Sequence, residues 1–131
     1  MSAMSDLKAL ADQLRAHESE LMPTYEELAR AAEAPAEVKI VHQLRAYQRL
    51  QLLSLELLGD RVPERFLGFG RVTASDVNIR SAPNGQAGLV GKAQQGDQVI
   101  ICSYQGYWVE VQVMHGPSGY IFRDYVQEEG G

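Results

Sequence analysis

The sequence predicts an α+β protein: an N-terminal helical hairpin of two or three helices, followed by a small antiparallel β-barrel. Three observations carry that reading. All 12 glycines fall between residues 59 and 131. Apolar residues before that point recur at helical spacing, and after it they alternate in short runs. Between those runs stand Asn-Gly, Gln-Gly and Gly-Pro-Ser-Gly, turn signals at the rhythm of a small all-β fold.

The first helix starts near Ser5 or Asp6, either of which can cap an N-terminus. Leu7, Leu10, Leu14 and Leu21 then form one apolar stripe. Pro23 interrupts it, and Thr24 with Glu27 gives the Thr-x-x-Glu pattern of a capping box, so a new or kinked turn begins there. This stretch carries Tyr25, Leu28, Ala29 and Ala32 before "EAPAE" breaks it. Pro35 suits the first turn of the next helix, which spans about 36–58 and closes at Gly59. Its first half is one-sided, with Val38, Val41, Leu44 and Tyr47. Its last turns, "LQLLSLELL" at 50–58, are apolar nearly all round. Such a helix must be buried on every side, by the β-module, a second copy or a partner. Leu50, Leu53 and Leu57 are the expected dimerisation or docking residues.

Residues 1–60 are therefore read as a helical docking or oligomerisation region. Residues 61–69, with Phe66, Leu67 and Phe69, are too apolar for a solvated tether and are read as a packed connector. Strand-like runs follow over 70–127: "GRVTA", "VNIRS", "GLVGKA", "DQVIICSYQ", "YWVEVQVM" and "GYIFRDYV". Asn84-Gly85 supplies a turn with positive φ, and Pro83 ends its strand because it cannot donate to a ladder. In "YWVEVQVM" the alternation allows only one set inward. Val109, Val111 and Val113 are expected in the core, which leaves Trp108 part-exposed. Residues 128–131 are read as a mobile polar tail.

Composition narrows the function. The 131 residues carry a net charge of −5, which repels phosphate backbones and argues against nucleic acid. Cys102 is the one cysteine, so no intrachain disulfide forms, in keeping with a reducing compartment. The N-terminus lacks a basic region followed by an apolar core, and the apolar run at 50–58 is too short to span a bilayer. The expectation is a soluble, cytoplasmic protein without a membrane partner. Cys102, His115 and Asp124 can be written as a nucleophile set, but Cys102 sits where a small buried residue belongs. His17, His42 and His115 are scattered rather than placed at metal-ligand spacing. No Gly-rich loop stands between a strand and a helix, so a nucleotide-cofactor reading fails. The pairs Glu18/Glu20 and Glu26/Glu27 read as solvated helix faces, and Gly130-Gly131 as a frayed end. The expectation is no enzyme, no metal and no cofactor.

Three pieces in order then resemble a known family. They are "VNIRSAP" with Gly91 and Gly96, "GYWVEV", and "SGYIFRDYV". Together they are similar to the bacterial SH3-like domain, SH3b, over residues 70–127. The resemblance implies an SH3-like barrel; residues 1–60 resemble no family. The Ala-Leu-Tyr-Asp-Tyr opening of eukaryotic signalling SH3 domains is missing, so proline-rich ligands are not implied. The expected binding surface is aromatic and amphipathic: Asn78, Arg80, Tyr104, Tyr107, Trp108, Tyr120 and Arg123, with Tyr125 beside them. The function expected is a protein- or peptide-binding adaptor whose helices dimerise or dock. The alternative is binding of peptidoglycan peptides, by a phage-encoded protein or one exported without a standard signal.

Overall fold

The computed structural model describes residues 3–129, with side chains from residue 6 onward; the Gly130-Gly131 pair lies outside the described residues. The chain divides into two compact units between Val62 and Pro63.

In the first unit, α1 (Ala3–Glu20) and α2 (Met22–Ala31) form one helix bent at Leu21. Because α1 already includes Ser5 and Asp6, neither caps it. The Thr24–Glu27 capping box does not form either. Leu21, the residue before α2, keeps helical backbone angles, and its carbonyl accepts from both Thr24 and Tyr25 N–H at 3.1 Å. The helix runs through the bend, so no free N-terminus is left for Thr24 to cap. Pro23, lacking an N–H, is tolerated in this first turn.

The helix α3 (Pro35–Leu58) starts with Pro35 at its first position. Glu37 reaches back and accepts hydrogen bonds from the N–H groups of Ala34 at 3.0 Å and Glu33 at 3.2 Å. These bonds hold its carboxyl below the usual carboxylate range, because they favour the charged form. Gly59 ends α3 in the right-handed region, φ −88°, so the left-handed glycine cap is not used.

The bent helix runs antiparallel to α3, with Gln51 donating to Glu18 at 3.5 Å. Among the described residues of this unit few apolar side chains are fully buried: Ala11, Val41 and Leu57, together with Gln48. The apolar stripe of the first helix is turned to solvent, with Leu7, Leu10, Leu14 and Leu21 all exposed. Small Ala11, one step round the helix, sits at the contact instead. Leu57 is buried and Leu50 and Leu53 are half-buried, so the expected docking residues are not those presented to water.

In the second unit, seven strands form one antiparallel sheet in the order β3-β2-β6-β5-β4-β1-β7. They are β1 (Gly68–Val72), β2 (Val77–Arg80), β3 (Leu89–Ala93), β4 (Gln98–Gln105), β5 (Trp108–Val113), β6 (Ser118–Phe122) and β7 (Val126–Glu129). Among the described residues no ladder joins the edge strands β3 and β7. Val72, Val77, Ile79, Ala93, Val99, Ile101 and Ile121 nevertheless share one cluster with Val109, Val111 and Val113. A sheet whose distant strands meet over one core must coil strongly. The inward set on β5 is the one the alternation predicts.

Three local expectations are corrected. The first strand begins at Gly68, inside the expected connector, because Leu67 N–H already bonds Ile101 C=O at 2.8 Å. Glu128 and Glu129, expected in a mobile tail, belong to β7, which pairs with β1. Glu129 accepts from Arg71 at 3.1 Å and from Gln98 at 3.0 Å, so the charges that made the tail look solvated fasten it. Neither Asn84 nor Gly85 has a positive φ. Residues 81–88 make a wider loop, in which Asn84 Oδ1 accepts from Gln86 N–H at 3.0 Å and Ser81 N–H bonds Gly88 C=O at 2.9 Å.

At Gly119, β6 passes so close to β2 that an added Cβ would lie 2.6 Å from both Arg80 O and Ile79 Cγ2. Gly119→Ala is expected to destabilise the β-unit by about 1–3 kcal/mol, read as a fall in melting temperature. Gly85→Ala, which meets only open space, is expected to be neutral or slightly stabilising. Equal melting temperatures for the two variants would contradict the close approach. In the helical unit, the amide Nε2 of buried Gln48 has no hydrogen-bond partner among the described residues, and an orphan donor costs about 1–3 kcal/mol. Gln48→Met should therefore raise the denaturation midpoint of the helices, measured by circular dichroism.

Candidate functional site

The site grows from the outward face of β5 and β6. Val109 and Ile121 point into the core, so their neighbours Trp108 and Phe122 point out. The register sets Trp108 opposite Phe122, and their rings meet edge to face at 5.7 Å. Phe122 is the hub of the cluster. Tyr107 stacks on it at 6.3 Å and Tyr125 tilts against it at 6.0 Å. Arg123 N–H bonds Tyr107 C=O at 2.7 Å, which ties the β4–β5 turn to the end of β6. Gly106 makes that turn with φ +64°, a conformation open to glycine.

A cleft of about 340 Å³ opens beside these rings. Trp108, Phe122 and Tyr125 line one side, Asn78 and Arg80 of β2 another, and the 74–76 loop a third. Asp76 adopts φ +55° and is held by Gln94, which accepts from its N–H at 3.1 Å and donates to its Oδ1 at 3.2 Å. Arg80 donates to Ala87 C=O at 3.1 Å, so its guanidinium is held in place by the 81–88 loop. The cleft therefore combines flat aromatic surface, one carboxylate and one positioned guanidinium, all features of recognition surfaces.

Of the residues expected at the site, Asn78, Arg80 and Trp108 come together here. Tyr107, 77% exposed, stands next to the cleft on Phe122. Tyr104, Tyr120 and Arg123 do not line it. Tyr104 packs partly against the core; its hydroxyl donates to Glu128 Oε1, and Arg123 lies over its ring at 4.7 Å, a cation–π contact. Tyr120 OH accepts from Gln105 at 3.4 Å. Phe122 was not legible as a site residue, and neither was Asp76. The alternation of "GYIFRDYV" does put Phe122 outward, but only the cross-strand register makes it Trp108's partner.

Cys102 is buried and occupies a bulge where β4 slips against β5 between Ile101 and Ser103. Burial raises its thiol pKa, with the Glu110 carboxylate adding to the rise, the reverse of an activated nucleophile. Among the described residues no group of three or more His, Cys, Asp or Glu is placed to hold a metal ion. No helix among them is long and apolar enough to cross a membrane.

This is an α+β chain whose all-antiparallel unit carries an aromatic-lined cleft. Residues 75–127 match the family model of the bacterial SH3 domain. The matched segment spans about two-fifths of the chain and contains all three motifs on which the resemblance rests; β1 and the helices lie outside it. No curated protein matches the chain. A bacterial SH3 domain points to binding of protein or peptidoglycan.

Burial, the bond to Glu128 and that carboxylate's charge push the Tyr104 phenol up to about 12, against a smaller opposing effect of Arg123. Its folded value lies above the unfolded value of about 10. Its contribution to stability is thus complete below pH ~10 and is lost as pH rises toward 12. An ultraviolet absorbance titration should show a phenol ionising near 12 that disappears in Tyr104→Phe. A titration curve unchanged by that substitution would contradict the assignment.

Proposed function

We propose that this protein is a non-enzymatic binding module of the cytoplasm. Its β-unit, an SH3-like barrel, holds a protein or peptide partner, and its helices associate with another helical surface. The observation that carries this reading is the convergence of Trp108, Phe122 and Tyr125 with Asn78 and Arg80 around one cleft. Rigid aromatic side chains offer large contact area at little entropic cost. Arg80 and Asn78 add donors at fixed positions, which favours a peptide backbone or amide over a purely apolar ligand. The net charge of −5 speaks against a nucleic-acid or anionic-membrane partner.

Peptidoglycan peptides are the second reading, favoured by the match to the bacterial SH3 domain over residues 75–127. They present amides and carboxylates that the same cleft could hold. The two readings part in one experiment. Wild-type protein is tested for co-sedimentation with purified sacculi, and in parallel for titration against a partner protein recovered from native cells.

Under the first reading sacculi do not retain the protein, and the recovered partner binds with an affinity that falls about thirtyfold or more in Trp108→Ala, the loss of a hot-spot aromatic. Tyr120→Phe, outside the cleft, should leave binding unchanged. Retention on sacculi that is lost in Trp108→Ala would reverse the ranking of the two readings.

A further inference from the structure

We infer that the helical hairpin is half of a symmetric dimer, and that the occupant of its exposed apolar face is the same face of a second copy. The inference rests on the reading that the helices associate, and it names both the surface and the partner.

The surface is continuous. Leu7, Leu14, Leu21 and Leu28 follow one another at seven-residue steps, with Leu10 between the first two, so they share one stripe of the bent helix. Leu28 also lines a groove of about 370 Å³ with Ala31, Ala32, Val41, Ile40 and Leu44, which joins the stripe to α3. Tyr47 extends the α3 side by one further turn. The large residues of this face are each between 38% and 58% exposed. Two half-exposed rows of this length leave on the order of 600 Å² of apolar surface in water, at the upper end of what a monomer shows. It is close to the ~800 Å² that each partner buries in a standard interface.

The face also defines its occupant. The groove is lined by apolar side chains apart from Glu37 at one end, and along the two rows the large apolar residues outnumber the exposed polar ones, His17, Thr24 and Gln43. A charged peptide would gain little in the groove, whereas a matching, mostly apolar face covers it. The face carries both a ridge and a hole. Leu7, Leu10 and Leu14 stand up near the start of α1, while small Ala31 and Ala32 leave the groove at the other end of the hairpin. A two-fold axis normal to the hairpin's long direction sets the ridge of one copy over the groove of the other. It makes each contact twice, as an isologous interface must. The product is an antiparallel four-helix arrangement in which the stripe that fails to face α3 becomes interior.

The test is sedimentation of the full chain across micromolar concentrations. Wild type is expected at twice the chain mass. Leu14→Glu and Leu44→Glu should each weaken association by about thirtyfold per site, and hence on the order of a thousandfold where the site occurs twice in the dimer. The double Glu variant mixed with Leu14→Lys/Leu44→Lys should recover a heterodimer, which shows that the variants keep a competent helical fold. A wild-type monomer at all concentrations, or a dimer indifferent to these substitutions, overturns the inference. Trp108→Ala should remain dimeric. Partner or sacculus binding lost in Trp108→Ala with the dimer intact tests the cleft alone, so the two readings fail separately.

Discussion

The crossing of β2 over β6 is the contact on which the site depends. Strands β3 and β2 join the other five through the register pair Arg80↔Tyr120, and Gly119 lets the two backbones approach at that point. Asn78 and Arg80 arrive from one side of this junction, Trp108 and Phe122 from the other. A side chain at residue 119 would push β2 outward and widen the cleft at its floor. The same junction carries Ile79 into the cluster that holds Ile121. Stability of the β-unit and geometry of the cleft thus rest on one small residue.

The two units balance their apolar surface differently. The β-unit buries branched side chains from five strands, and Ala93 of a sixth, in one cluster. The helical unit buries few apolar residues completely and leaves leucines along most of its length in water. Two helices in contact can cover only one stripe of each other. Ala11 takes the close-packed position in α1, so the larger leucines are displaced sideways onto a common face. A polar Gln48 in the interior further limits what the hairpin gains from its own packing.

Much of this architecture is legible in the sequence because it follows from local periodicity. The glycine-free half, Pro35 and the alternation through Val109, Val111 and Val113 each specify an element without reference to distant residues. The match to the bacterial SH3 domain spans the segment in which the motifs stand. What was not legible depends on partners far along the chain. Glu128 and Glu129 read as solvated tail until Arg71, Gln98 and Tyr104 are placed beside them. Asn84-Gly85 reads as a two-residue turn, whereas the loop is held open by Asn84's side chain and by Arg80 reaching Ala87. Phe122 is an ordinary strand residue until the β5–β6 register sets it against Trp108. The direction of the α1 stripe could not be settled from one helix, since a stripe shows that a face is apolar and not what covers it.

The bulge at Cys102 changes the parity of β4. Before it, Val99 and Ile101 face inward; after it, Tyr104 does, three positions on instead of two. The strand is therefore two runs of opposite parity spliced at one thiol. Were all eight residues to alternate regularly, with no bulge, Ser103 would turn into the core and Tyr104 away from it. The extra residue is what lets one strand serve the interior at its first half and hold the edge strand β7, through Tyr104 and Glu128, at its second.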